Sequence, residues 1–351
     1  VSVVEAWNGP GRRDGELTVV RPSDNGVHLP SHGKPFEHWY FDATFDNGYS
    51  IVVFFNKRRP EDMPWARPWV EVTLYSPDGS RQQFSKRYSR SKATFTADRA
   101  DVTIGENRAH IESVSAPLPS YLVHAAIGGI ELDLRFDSVM RPWMPGSGET
   151  HFTDAESFGW VVGAPRATVT GWVSLGDNKF DVMGQGYADH NWGTGDMKRV
   201  IDRWHWGRLY LADYSLLYAT VMTQRRFDSH VISPLMLARD NEVVLSTGET
   251  ILTEGPPAFD EDAGRTYPTS VTLHVPGEME LILQVRNVIH AEDIVRGVPI
   301  VGSAPLRPLA YRLIGHPGYF RFYSDFELTV HTSGGALTRT GTTLHELVAL
   351  S

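Results

Sequence analysis

Apolar and polar residues alternate with a period of two along most of this chain, and turn signals interrupt the alternation about every 8–12 residues. Residues 70–75 (Val-Glu-Val-Thr-Leu-Tyr) alternate and then meet Pro77-Asp78-Gly79, which predicts a hairpin. The same logic pairs 121–126 with 130–136 across Gly128-Gly129, 235–238 with 243–245 across Asp240-Asn241, and 271–275 with 279–285 across Pro276-Gly277. Residues 51–55 (Ile-Val-Val-Phe-Phe) are continuously apolar, as a strand covered on both faces would be. Helical periodicity is scarce, and only 194–202 suggests one short helix.

Many short strands joined by tight turns predict an all-β protein of antiparallel barrels or sandwiches. One barrel of 351 residues would be large, so two β domains packed side by side are expected. Between Pro142 and Ala167 the periodicity breaks up among Pro142, Pro145, Gly146, Gly148, Gly159, Gly163 and Pro165, which predicts domains of 1–160 and 161–351. An internal echo supports a repeated unit. His38-Trp39 precedes Tyr49-Ser50 and an apolar strand, as His205-Trp206 precedes Tyr214-Ser215 and another.

Composition narrows the function. A net charge of -9, from 33 basic and 42 acidic residues, argues against a phosphate-backbone ligand, so no nucleic acid partner is expected. With no cysteine there is no disulfide framework, thiolate metal site or thiol nucleophile. No apolar run approaches the roughly 20 residues of a membrane-spanning helix, so stable membrane insertion is not expected. The chain opens Val-Ser-Val-Val-Glu, without a basic-then-apolar signal pattern, which favours the cytoplasm over the periplasm. HExxH, the phosphate loop, GxGxxG and GxSxG are all absent, and the 14 histidines are dispersed. Cofactor-free acid–base chemistry, or binding alone, is left, with no metal and no cofactor expected.

Aromatic residues make up 11% of the chain and gather around ionisable ones. In 36–42 (Phe-Glu-His-Trp-Tyr-Phe-Asp), strand alternation puts Glu37, Trp39 and Phe41 on one face and His38, Tyr40 and Asp42 on the other. In 184–193, Gly184 and Gly186 allow a bulge or a close backbone approach, and Asp189-His190-Asn191-Trp192 sets a carboxylate beside an imidazole. Such a pair cooperates only from a bulge or turn, because neighbours on a strand point apart. Downstream, Trp204 and Trp206 share a face, with Arg208 two residues further on, and form a candidate aromatic wall. On 319–325, Arg321, Tyr323 and Asp325 share a face, so a salt bridge between Arg321 and Asp325 is expected, and His316-Pro317-Gly318 reads as the turn entering that strand.

Residues 37–42 and 186–193 (Gly-Tyr-Ala-Asp-His-Asn-Trp-Gly) resemble the two motifs of the hydroxyneurosporene synthase (carotenoid 1,2-hydratase)/AttH group, and the resemblance extends over most of the chain. It implies two lipocalin-like domains and hydratases that add water across an isolated alkene without a cofactor, with pericyclic cyclases on related folds. It also implies functional roles for His190 and Trp192, and for a downstream Tyr and Asp drawn from Tyr210, Asp213 and Tyr214. The expected activity is a cofactor-independent lyase acting on a small hydrophobic aromatic or terpenoid molecule. Asp189, His190, Tyr210, Asp213 and Tyr214 are its candidate catalytic residues. Glu37, His38, Trp39, Tyr40, Asn191, Trp192, Trp204, Trp206, Arg208 and Tyr323 are its candidate binding residues. A carrier for an apolar ligand and a pericyclic cyclase or isomerase are the alternatives. The central expectation is a greasy chamber between two β modules into which the carboxylate and imidazole beside Trp192 both project.

Overall fold

A computed structural model describes residues 3–8, 17–28, 34–60, 62, 65–295 and 317–350. The chain divides into two compact units, Val1–Met197 and Lys198–Ser351. Each is built on one curled antiparallel sheet. Among the described residues no helix is long and apolar enough to cross a membrane.

The first unit contains β1 (Pro35–Phe45), β2 (Ser50–Arg58), β3 (Trp69–Tyr75), β4 (Arg81–Arg87), β5 (Ala93–Phe95), β6 (Asp101–Ile104), β7 (Asn107–Ile111), β8 (Ser120–Ile127), β9 (Ile130–Ser138), β10 (Glu149–His151), β11 (Ser157–Leu175) and β12 (Asn178–Thr194). The strand order is β4-β3-β2-β1-β12-β11-β9-β8-β7-β6-β5, with β10 on the free stretch of β11. Its concave face is a continuous core that includes Trp39, Phe41, Phe55, Val72, Tyr121, Leu134, Phe136 and Val169.

The second unit contains β13 (Ile201–Tyr210), β14 (Tyr214–Thr223), β15 (Val231–Ile232), β16 (Leu235–Arg239), β17 (Glu242–Thr247), β18 (Ile251–Glu254), β19 (Pro257–Asp260), β20 (Arg265–Pro268), β21 (Ser270–Val275), β22 (Met279–Asp293), β23 (Gly318–Thr332) and β24 (Gly335–Ala349). The order β17-β16-β14-β13-β24-β23-β22-β21-β18 repeats the plan of the first unit. In both, the first long strand lies between its hairpin partner and the last strand of the unit. Leu209, Leu216, Leu237, Leu273, Leu281 and Leu328 contribute to the core.

All four hairpins read from the turn residues are present, as β3–β4, β8–β9, β16–β17 and β21–β22. The expected helix shrinks to one turn, Met197–Val200. The division between units falls after Met197, not at 160. The physical reason is that Gly159, Gly163 and Pro165 do not mark a linker. They lie within the 19-residue β11, and the shifts between Val162 and Ala164 and between Ala164 and Ala167 leave Gly163 and Pro165 out of the ladder as bulges. Proline lacks the N–H that a ladder position needs, so a bulge is where a long strand accommodates it.

The two His-Trp echoes lie on equivalent strands but one residue out of phase. His190 pairs with Trp39 across β12 and β1, and the equivalent His345 pairs with Gly207, not Trp206, across β24 and β13. One residue of slip reverses every side chain, so Trp39 faces the core while Trp206 is half-buried on the opposite face.

Candidate active site

The 186–193 motif is a regular stretch of β12, in continuous register with β1 from Pro35 opposite Thr194 to Phe45 opposite Gly184. Gly184 and Gly186 provide close approach and not a bulge. A Cβ on Gly186 would lie 2.5 Å from the Asp42 carbonyl oxygen. With no bulge in β12, Asp189 and His190 point to opposite faces of the sheet. The expectation that they share one chamber is therefore corrected, and each belongs to a separate cluster.

On the core face, Glu37 of β1 meets His190 of β12. His190 is 0% exposed and Glu37 is 2% exposed. Glu37 Oε1 lies 3.0 Å from His190 Nε2, accepts the His28 backbone N–H at 2.7 Å and lies 3.3 Å from His28 Nδ1. Lys57 Nζ donates to Glu37 Oε2 at 2.9 Å. Burial opposes ionisation of Glu37, but His190, His28 and Lys57 outweigh it and hold the carboxyl down at about 2. Burial also lowers the His190 imidazole, to about 4, so the ring is neutral at pH 7. The Trp39 indole stacks on His190 at 4.3 Å, and the Trp192 indole stacks on His28 at 3.8 Å. Gly159 makes room for that indole, since a Cβ there would sit 2.0 Å from the Trp192 ring.

His28, Glu37 and His190 bring three donor atoms within 4.8 Å of one another. Two imidazoles and a carboxylate suit a zinc-class ion in type. The charge does not fit, because the Lys57 ammonium already neutralises Glu37 and a dication beside it would leave two positive charges uncompensated in a largely buried site.

On the opposite face, cross-strand neighbours form a checkerboard in which Tyr40 pairs with Asp189 and Asp42 with Tyr187. Each phenol donates to the carboxylate two residues along its own strand, Tyr40 to Asp42 at 2.7 Å and Tyr187 to Asp189 Oδ2 at 2.8 Å. Trp160 Nε1 of β11 donates to Asp189 Oδ2 at 3.0 Å, and Asn191 Nδ2 donates to Oδ1 at 3.2 Å. Burial is the largest influence on Asp189, and with the charge of Asp42 it outweighs these donors and pushes the carboxyl up to about 7. The residue is half-buried. His38 lies on this face with its ring 5.6 Å from that of Phe54, and burial lowers its imidazole to about 3.

Tyr210, Asp213 and Tyr214 belong to the second unit. Asp213 is bound by Arg339 at 2.7 Å, which holds its carboxyl below the ordinary range. Tyr214 is 2% exposed in the second core. Tyr210 is half-buried beside the Arg208 guanidinium, which also lies 5.3 Å from the Trp206 ring, and Trp204 shares that half-buried face. Tyr323 donates to Thr342 at 3.0 Å. The expected Arg321–Asp325 bridge is not formed. Asp325 pairs with Arg286 of the neighbouring β22, and Arg321 lies 3.9 Å from Glu346, because residues four apart on a strand are about 13 Å apart whereas cross-strand neighbours are about 5 Å apart. His316 lies outside the described residues.

Sequence reasoning missed His28, Lys57 and Trp160. Lys57 carried a usable signal, since it continues the core-facing parity of Ile51, Val53 and Phe55 and a charge there requires a partner. His28 sits in a connecting segment and carries no such signal.

The AttH-like family profile matches residues 14–299, most of the chain and the whole β1–β12 seam. The protein belongs to the AttH-like family. Its fold is similar to that of a putative AttH from Nitrosomonas europaea, with a TM-score of 0.64, 16% identity, and coverage of 96% of this chain and 98% of that one. It is similar to CghA with Sch210972 at a TM-score of 0.65 and 12% identity, covering 96% and 98% of the two chains. It is also similar to kievitone hydratase from Nectria haematococca at 0.58 and 14%, covering 95% and 94%. The TM-scores show a shared lipocalin-like fold, and at identities this low the likeness shows the fold alone. A hydroxyneurosporene dehydrogenase from Chlorobaculum tepidum is 43% identical over 68 residues, and the match spans 18% of this AttH-like chain and 18% of that protein's length.

Proposed function

We propose that this AttH-like protein is a lyase of the hydratase or dehydratase kind, acting on a hydrophobic aromatic or terpenoid substrate with its own side chains as the proton carriers. One observation carries the reading: Asp189, half-buried among Trp160, Tyr187 and Tyr40, has a carboxyl poised at about 7. A carboxylic acid that remains protonated near neutrality can give a proton to an alkene carbon. The carbon–carbon π bond breaks, a C–H bond forms, and the cationic carbon is shielded by the neighbouring aromatic faces. Water then forms the C–O bond and its proton returns to the Asp189 carboxylate, which Tyr187, Trp160 and Asn191 have meanwhile stabilised. Dehydration is the same sequence reversed. His190 is a positioning residue in this reading: it is buried on the other face and held by Glu37 and Trp39. Kievitone hydratase is named for adding water, and a similar fold here supports that reaction class.

The test follows turnover of a panel of alkenyl aromatics and isoprenoids by incorporation of isotopically labelled water. Asp189→Asn is expected to lower turnover by about 10²–10⁴-fold while leaving binding in place. The wild-type rate should fall as pH rises through about 7, where the acid form is lost. Unchanged turnover in that variant would reject the assignment. Saturable binding without turnover of any panel member would replace the enzyme with a carrier.

A further inference from the structure

The second unit contains a cleft of about 120 Å³ between β13, β14, β15 and β18, where the sheet's terminal strand β18 passes near β13 and β14. Its lining is mixed, with Arg203, His205 and Glu254 as polar groups and Met222, Val231 and Leu252 as apolar ones. His205 is 2% exposed and occupies the register position that Glu37 holds in the first unit. Its Nε2 lies 2.8 Å from Glu254 Oε1, and Arg203 lies 3.4 Å from Glu254 Oε2. Its Nδ1 is buried with no hydrogen-bond partner among the described residues. His345 Nδ1 and the Tyr218 hydroxyl, in the same core, are also buried and unpartnered. A Cβ on Gly207 would lie 2.8 Å from the Tyr218 hydroxyl and 2.9 Å from His345 Cβ, so these two side chains flank one point of the seam. Buried polar groups in folded proteins are normally satisfied, and the unpartnered Nδ1 belongs to His205, which lines the cleft, whereas Tyr218 and His345 do not line it.

We propose that this cleft binds a neutral, hydroxyl-bearing compound about the size of one six-membered ring. Size follows from volume, because an apolar cavity of roughly 150 Å³ accepts benzene. Charge follows from the lining. A carboxylate ligand meets Glu254, and an ammonium ligand meets Arg203. Both are partly desolvated, so a like charge beside either is penalised. A hydroxyl suits both, accepting from Arg203 and donating to the Glu254 carboxylate or to His205 Nδ1, which is left as an acceptor while Nε2–H faces Glu254, and the ring packs on Met222, Val231 and Leu252. Thr220 also lines the cleft, but its hydroxyl is engaged with Ser233 at 2.6 Å. This site stands apart from the Asp189 reading, and neither depends on the other.

The experiment titrates the full-length protein with phenol, cyclohexanol, benzoate and benzylamine, followed by calorimetry and by ligand-observed NMR. Phenol and cyclohexanol are expected to bind saturably, with dissociation constants of about 0.1–5 mM for ligands of so few atoms. Benzoate and benzylamine should bind at least about 10-fold more weakly. Val231→Trp, at an exposed residue of the lining, should abolish binding of phenol. Glu254→Gln should weaken phenol about 5-fold and strengthen benzoate, because the repelling carboxylate is gone while Arg203 remains. No saturable binding of phenol, equal binding of benzoate by the unmodified protein, or phenol affinity unchanged in both variants would overturn the proposal. The Asp189→Asn variant should bind phenol normally, which separates failure here from failure of the lyase reading.

Discussion

At the seam between first and last strands, the first unit places Glu37, Trp39, His190 and Trp192, and the second places His205, Gly207, His345 and Leu347 at the same register positions. The backbone frame is shared and the chemistry is not. In the first unit a carboxylate inside the seam is balanced by Lys57 and tied to His190, and indoles cover both imidazoles. Among the described residues, the second unit has no acid at the core-facing positions of the seam, and Glu346, opposite Trp206, lies on the other face. His205 obtains its carboxylate from Glu254 on β18, and His345 is bonded to Ser324 at 2.8 Å. Glycine replaces the stacking tryptophan, and the Tyr218 ring approaches in its place. An aromatic ring stacked on an imidazole excludes water and fixes its plane, whereas a glycine leaves the imidazole dependent on its neighbours. A repeated fold thus conserves the positions at which chemistry can be placed, and the inward side chains decide which chemistry it is.

The comparison can be broken most forcefully at Trp39. Trp39→Ala should cost about 3–5 kcal/mol in denaturant unfolding, since it removes a fully buried indole and uncovers His190. The reciprocal Gly207→Ala should cost about 1–3 kcal/mol through overpacking against Tyr218 and His345. Equal, small losses at both positions would mean that the two seams are energetically interchangeable.

The balanced charge comes next. Glu37→Gln should destabilise by about 3–5 kcal/mol because Lys57 and the imidazoles lose their anion, and Glu37→Gln with Lys57→Met should recover part of that loss. The pH dependence has a definite sign. Glu37 is held at about 2, below the ordinary 4.5, so its contribution is complete above about 4.5 and is lost as pH falls toward 2. His190 at about 4 and His345 at about 3 are kept neutral below the ordinary 6.5, and their contributions are likewise lost as pH falls from about 6.5. Stability measured against pH should therefore decline from about 6.5 downward, and Glu37→Gln should flatten only the part below about 4.5.

Asp189 behaves in the opposite way. Its folded value of about 7 exceeds the ordinary 3.8, so its contribution is complete below 3.8 and is lost as pH rises through 7. Asp189→Asn should stabilise the protein at pH 8 by about 1–3 kcal/mol and have little effect near pH 4. A variant less stable than wild type at pH 8 would remove the basis for a poised acid. The smallest effect is expected from chelation. Prolonged treatment with EDTA should leave the melting temperature unchanged, because Lys57 supplies the positive charge at Glu37. A clear drop, restored by zinc, would reassign His28, Glu37 and His190 as ligands.

Much of this could be read from local pattern. The period of two places Glu37, Trp39 and Phe41 on one face, and turn residues locate four hairpins, because side-chain direction on a strand and tight-turn geometry are set by immediate neighbours. The same pattern misleads where a local signal has two physical causes. Gly163 and Pro165 resemble a linker and are bulges, and Asp189-His190 resembles a dyad and is split by a regular strand.

What the sequence by itself determined is the all-β character, the alternation of each strand and the presence of ionisable groups among aromatic ones. Tertiary structure alone decided that Glu37 meets His190, 153 residues away in the chain, that Lys57 neutralises it, and that burial, with a smaller push from Asp42, raises the carboxyl of Asp189. Pairing the first strand with the last is a non-local choice, and the electric field at each carboxyl depends on groups that share no local pattern with it.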